Sequence, residues 1–165
     1  MSLVLRPARS TDAGKLGAML TAAVLENPWK PRLHSGAEDI SFVGVMIDRG
    51  WVTVAEDSDE QVPLGFIARD RDEVNALFIA PPARNSGVGR ALLEHAKAAS
   101  DALTLWTFQA NEGAQRFYRR EGFIELRRTD GRDNEERLPD VLLRWQRPTM
   151  HAAPRRPASA AKAKS

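Results

Sequence analysis

The chain has 165 residues, 42% of them hydrophobic and 28% charged, a length and balance that fit one domain with a sizeable core. It holds no cysteine, which excludes a disulfide framework, a thiolate metal site and a cysteine nucleophile. The net charge of +2 is uneven: residues 147–165 carry five basic residues and no acid, leaving 19 basic against 22 acidic residues, or −3, over residues 1–146.

No apolar run reaches the roughly 18 residues that would suggest a membrane span. Residues 1–7 lack the charged start and long apolar stretch of a signal peptide, so a cytoplasmic protein is expected. Leu3-Val4-Leu5-Arg6 reads as a strand that Pro7 stops. Ser10 or Thr11 can cap a first helix with Asp12 in its first turn. Leu16, Met19, Leu20, Ala23 and Val24 recur at helical spacing, and Asn27-Pro28 ends the run. After the loop 28–34, Ser35-Gly36-Ala37-Glu38 matches a capping box. A second helix follows, with Ile40, Val43, Met46 and Ile47 on one side.

Residues 51–55, 64–68 and 74–79 are apolar, β-branched or aromatic between polar turns, and predict three strands. Val88, Ala91, Leu92, His95, Ala96 and Ala99 then mark an amphipathic helix. Residues 103–108 predict a strand. Asn111 can cap a further helix that carries Ala114, Phe117 and Tyr118 on one side and ends near Gly122. Strands over 123–126 and 141–145 enclose a polar stretch, 128–137, which either closes over substrate or is a long hairpin turn. This order predicts an α/β (mixed α+β) domain over 1–146: one mixed sheet with helices on both faces. Residues 147–165 form a basic Ala- and Pro-rich tail with little to bury, expected to be disordered. A basic tail can touch nucleic acid or membrane, yet so few charges also fit a solvated extension, and the acidic core argues against a nucleic-acid partner. No membrane partner is expected.

Arg84-Asn85-Ser86-Gly87-Val88-Gly89 opens the helix that begins near 88. A helix N-terminus presents unpaired N–H groups and partial positive charge, for which phosphate is a natural ligand. Gly87 and Gly89 let an anion approach the backbone. Arg84 and Arg90 add donors suited to phosphate oxygens, and Ser86 a hydroxyl. No Gly-Lys-Ser/Thr follows and the third glycine of a dinucleotide fingerprint is absent. Taken alone, the loop is either an anion cradle or a glycine-rich strand-to-helix turn.

Two motifs decide between these. Arg84-x-x-Gly87-x-Gly89 after Leu77-Phe78-Ile79-Ala80-Pro81 resembles motif A of the GNAT acetyltransferases. Asn111, then Ala114 to Tyr118, then Gly122-Phe123 resembles that family's second conserved block, and the stretch 130–140 is similar to a bacterial subgroup of unassigned substrate. The resemblance implies a twisted sheet of about six to seven strands with about four helices. It implies acetyl-CoA as cosubstrate, no metal, and direct transfer in a ternary complex to the primary amine of a small molecule or an amino terminus. It also implies that homodimers are common. Pantetheine would lie between strands that splay apart near 74–79 and 103–108, bonded to the backbone of Leu77, Phe78 and Ile79. The pyrophosphate would rest on Ser86, Gly87, Val88, Gly89 and Arg90, flanked by Arg84 and Asn85. Asn111 would contact the pantetheine arm or an ordered water.

The same resemblance gives roles to single residues. Tyr118, the only tyrosine, would protonate the departing thiolate; its other reading is an aromatic that covers the helix–sheet joint. A backbone N–H near Phe78 would polarise the carbonyl. Glu73 is the candidate base, directly or through water, or else a solvated carboxylate; Asn75 could only hydrogen-bond. His34 and Trp29 sit in the loop that shapes the acceptor site, and Trp106 and Gln109 near the end of a strand beside it. His95 reads as structural and His151 belongs to the tail. Three scattered histidines give no metal site. A catalytically silent CoA-binding or sensing protein is the alternative.

Overall fold

A computed structural model describes residues 2–149. Strands β1 (Leu3–Pro7), β2 (Val52–Asp57), β3 (Val62–Asp70), β4 (Glu73–Ile79), β5 (Ala102–Phe108), β6 (Ile124–Thr129) and β7 (Asp140–Gln146) form one sheet in the order β1-β2-β3-β4-β5-β7-β6. Helices α1 (Ala13–Glu26), α2 (Gly36–Asp48), α3 (Val88–Ala99) and α4 (Glu112–Arg120) pack on it. Neighbouring strands are antiparallel except β4 and β5, which run parallel. The expected mixed sheet is therefore present, with seven strands and four α-helices among the described residues.

Strand periodicity divides the interior into two cores. On one side Leu16 of α1 and Val43 and Met46 of α2 bury against Val52, Val54, Phe66, Ala68 and Ala76. On the other, Val88, Leu92, Leu93 and Ala96 of α3 meet Ile67, Val74, Leu103, Leu105, Val141 and Leu143. Each of the Val, Leu, Ile, Met and Phe side chains among them contributes about 1.5–3 kcal/mol of burial. Helices α1 and α2 approach closely enough that a Cβ on Gly17 would come within 2.7 Å of the Ile40 Cα.

Several local expectations are corrected. Neither Ser10 nor Thr11 caps α1: residues Ser10–Asp12 form a 3-10 turn, and Asp12 accepts from the Arg9 N–H at 2.7 Å while pairing with Arg6 at 2.9 Å. Ile40, expected on the buried face of α2, is 40% exposed. The apolar stripe of α3 is rotated toward Leu93, which leaves His95 and Ala99 exposed, so His95 is no core residue. The Ser35 capping box holds: the Ser35 Oγ accepts from Glu38 N–H at 3.1 Å and the Glu38 carboxylate from Ser35 N–H at 2.8 Å. Arg147, assigned to the tail, is fastened to the end of α3 through the Lys97 and Ser100 carbonyls and Asp101. The remaining tail, 150–165 with His151, lies outside the described residues. Among the described residues no helix is long and apolar enough to cross a membrane.

Candidate active site

β4 and β5 share one paired position, Glu73 with Thr104, beside a 2.8 Å bond from Thr104 N–H to the Asp72 carbonyl. Beyond it the strands part. The β3–β4 register passes from Ala68–Ala76 to Arg69–Val74, so Asn75 is left out of the ladder as a bulge. A bulge bends its strand and shifts the phase of its side chains, which is why Val74 and Ala76 enter opposite cores. The parted strands line a cleft of about 1630 Å³ together with α1, the loop after it, α3, α4 and the β6–β7 connection.

Backbone direction decides what β4 offers this cleft. Ala80 N–H donates to the Leu64 carbonyl at 2.8 Å, and the Phe78 carbonyl lies 2.6 Å from where a Cβ on Gly65 would stand. Both residues therefore turn their backbone groups toward β3. Because strand residues alternate, Leu77 and Ile79 turn theirs into the gap. The expected donor near Phe78 is thus narrowed: Phe78 lines the cleft, but its backbone faces β3, and the amides that face the gap are those of Leu77 and Ile79.

At one end of the cleft lies the start of α3. Gly87, the residue before the helix, has φ +88°, a conformation that side chains other than glycine's enter only with strain. Asn85 also has positive φ, at 60°. The first-turn amides of Val88, Gly89 and Arg90 have no helical partner. The Val88 side chain is buried in the core, so only its backbone is on offer. A Cβ on Gly89 would meet the Phe117 ring at 3.2 Å, so this glycine also lets α3 approach α4. The Ser86 hydroxyl donates to the Ala83 carbonyl and is not part of the cleft wall. Arg84 is held by Glu26 at the end of α1 through two bonds of 2.7 and 3.1 Å. That fork keeps the Glu26 carboxyl below the usual carboxylate range.

Tyr118 lines the middle of the cleft. It is 9% exposed and packs edge-on against Phe117 and Phe123 at 5.2 and 5.4 Å. Burial alone pushes its phenol upward, so it stays protonated. Asn111 caps α4, its Oδ1 accepting from Ala114 N–H at 3.1 Å, and also lines the cleft. Gln115, not anticipated, is buried and its Nε2 binds the carbonyls of Phe108, Gln109 and Asn111, fixing the end of β5. Its place one turn after Asn111 was the available signal.

The other end is aromatic and acidic. Trp29 meets Phe108 edge-on at 5.8 Å, Arg127 lies over Trp106 at 5.2 Å, and Lys30 over Phe108 at 5.6 Å. Asp133, Asn134, Glu136 and Asp140 complete the wall. The 130–139 connection is tied down: Asn134 Nδ2 donates to the Leu138 carbonyl at 2.7 Å and to Asp140 at 3.1 Å, and Thr129 donates to Asp140. This network ties the connection into the cleft wall.

Three expected site residues lie elsewhere. Glu73 is exposed at the start of β4, where the two strands are still paired, and is absent from the cleft wall. Five residues of strand, about 16 Å, separate it from Phe78. Gln109 uses its Nε2 on the Thr129 and Asp140 carbonyls at 3.1 and 3.0 Å. His34 Nε2 lies 2.9 Å from Glu135, outside the wall, and links the α1–α2 loop to the β6–β7 connection. That contact raises the His34 pKa. Glu26, Lys30 and Asp140 went unremarked because loop and helix-end positions carry no periodic signal. Among the described residues no group of three or more His, Asp or Glu side chains gathers to hold a metal ion.

A family model described as an acetyltransferase (GNAT) domain matches residues 48–125. Over 129 residues the chain is 30% identical to the peptidyl-lysine N-acetyltransferase YjaB of Salmonella typhimurium LT2, covering 74% of this chain and 84% of that protein. The chain belongs to the GNAT acetyltransferase family. Its match to YjaB of Escherichia coli K12 is 39% identical over 95 residues, 58% of this chain and 63% of that protein, a little under two thirds of its length. The solution structure of apo YjaB from Escherichia coli superposes with a TM-score of 0.73 at 28% identity, covering 88% of this chain and 98% of that one. A Salmonella typhimurium structure described as yncA with its cofactor acetyl-CoA shares the GNAT fold, with a TM-score of 0.68 at 19% identity over 94% of this chain and 99% of that one. GNAT membership places the chain among the N-acetyltransferases.

Proposed function

We propose that this chain transfers the acetyl group of acetyl-CoA to the ε-amine of a lysine in a polypeptide, directly and with both substrates bound together. The observation that carries the reading is the parting of β4 from β5 in a cleft with a cationic, amide-rich end and an aromatic, acidic end. The first end suits a pyrophosphate: the α3 amides, Gly87, Gly89, Arg84 and Arg90 face it. The gap suits a narrow amide-bearing arm, which would meet the backbone of Leu77 and Ile79 and the side chain of Asn111. The second end suits an alkylammonium, with Trp29, Trp106 and Phe108 for the methylenes and Asp133, Glu136 and Asp140 for the charge. The relatives named peptidyl-lysine N-acetyltransferase favour lysine over an amino terminus or a small-molecule amine.

The residues divide the work as follows. The amides of Leu77 and Ile79 supply donors to a carbonyl oxygen that gains charge. Holding amine and thioester together supplies roughly 7–11 kcal/mol. Tyr118 donates to the sulfur as the thiolate leaves. An ordinary phenol sits about 1.5 pKa units above a thiol, close to 2 kcal/mol uphill. The apolar surroundings that raise Tyr118 also raise the sulfur, which keeps the two near each other. The amine's proton leaves to water at the acidic rim; Glu73 lies off the cleft wall at the start of β4.

A panel of lysine-containing peptides, their amino-terminally free but lysine-less counterparts, and small amines, each scored for release of free CoA and mapped by mass spectrometry, tests this. Acetyl-lysine in the first group is expected. Turnover confined to amino termini or small amines would replace the acceptor assignment.

A further inference from the structure

Lys30 differs from the other lysines of the described chain. Lys97 is engaged: its ammonium donates to the Glu121 carbonyl at 2.6 Å and stands 3.5 Å from Glu94. Lys15 also lines the cleft, from α1, but is exposed. Lys30 is half-buried, with its Nζ 5.6 Å from the centroid of the Phe108 ring that Trp29 also meets. Burial lowers its pKa, and the fields of Glu136 and Asp39 oppose that fall without cancelling it. A larger share of Lys30 is therefore neutral amine than for a solvated lysine.

Its position matters more. Phe108 ends β5, across the gap from the end of β4 that carries the Leu77 and Ile79 amides. Lys30, Phe108, Leu77 and Tyr118 all line the one cleft. An amine over Phe108 thus lies in the cleft that also holds these amides and Tyr118.

We propose that Lys30 is an internal acceptor, acetylated by acetyl-CoA bound in the cleft of the same molecule. This rests on the reading of the cleft as an acetyl-transfer site. The neutral Nζ attacks the thioester carbon, the N–C bond forms, and the C–S bond breaks with its electron pair on the CoA sulfur. The nitrogen sheds one proton to water, and the sulfur takes one from Tyr118, which regains it from water. The products are Nε-acetyl-Lys30 and the CoA thiol. Acetylation removes the cation from the Phe108 face and leaves bulk there, so the modified chain would admit an external lysine less readily.

The test is to incubate the full chain with deuterated acetyl-CoA, alone and with a lysine peptide that it acetylates, and to map labelled lysines by mass spectrometry over time. Lys30 is expected to label at least ~10-fold faster than Lys15 or Lys97, with a rate constant unchanged on tenfold dilution of the protein. Tyr118→Phe should slow Lys30 labelling by about 10²-fold and leave the labelling of Lys97, which lies outside the cleft wall, unchanged. Lys30→Arg should lose the fast label. Labelling of Lys30 no faster than Lys15, a rate that scales with protein concentration, or indifference to Tyr118→Phe would each overturn the proposal. Peptide acetylation without Lys30 labelling would sink this inference and leave the proposed function standing; the absence of both would sink the proposed function.

Discussion

The Arg84–Glu26 fork makes a counterintuitive prediction: removing an ion pair should tighten cosubstrate binding. Both terminal guanidinium nitrogens of Arg84 donate to Glu26, at 2.7 and 3.1 Å. The side chains remain 46% and 37% exposed, so this is a surface pair worth about 0.2–1 kcal/mol. A phosphate arriving at the α3 N-terminus must compete with Glu26 for the same donors. In Glu26→Gln that competition is gone, and the dissociation constant for acetyl-CoA should fall by a factor of about 1.4–5. Isothermal titration calorimetry reads this range, and the gain should shrink as salt rises. In an Arg84→Gln background, Glu26→Gln should have no effect, since the two act through one contact. Unchanged or weakened affinity in Glu26→Gln would show that Arg84 does not turn to the cosubstrate.

Tyr118→Phe should lower turnover by about 10²-fold with little change in acetyl-CoA affinity, and undiminished single-turnover rates would remove the proton-donor role. Gly87→Ala has room for its Cβ, with nothing within 4 Å, but holds φ at +88°; a left-handed residue costs roughly 1–2 kcal/mol, so Tm should fall by about 2–8 °C, as calorimetry can measure. Gly87→Glu adds bulk and negative charge at the α3 amides and should abolish acetyl-CoA binding in a folded chain, whereas normal affinity by titration calorimetry would reject the cradle. His34 should titrate above the usual ~6.5 because the Glu135 contact favours the imidazolium; that contact persists below the His34 pKa and fades as pH rises through it. In Glu135→Gln the His34 ring resonances should titrate nearer the ordinary value, and an unmoved NMR midpoint would contradict the pairing.

Much of the fold was legible because short-range chemistry and global packing agree. The capping box at Ser35, the cap at Asn111 and the strand runs all appear where pattern places them. The α1 start was misread because Asp12 is claimed by Arg6, a partner from another element. The α3 stripe was misread by one position because Leu93 and His95 flank the same face, and apolar burial chose Leu93. In the site, the cradle and Tyr118 were legible from motif spacing. Which amides face the gap was not, because that depends on the pairing of Ala80 with Leu64. Glu73 was misplaced for a related reason: sequence distance from Arg84 says nothing about where β4 leaves β5. Lys30, Glu26 and Asp140 gain their meaning only from contacts across the chain.

The central claim is that acetyl-CoA lies in the gap between β4 and β5 with its phosphates on α3. Backbone amide chemical shifts followed during an acetyl-CoA titration test it residue by residue. The largest saturable shifts are predicted at Leu77, Ile79, Val88, Gly89 and Arg90, with the amide of Phe78, bonded toward β3, moving less. Saturable binding that leaves these amides unmoved and shifts residues outside the cleft would contradict the account.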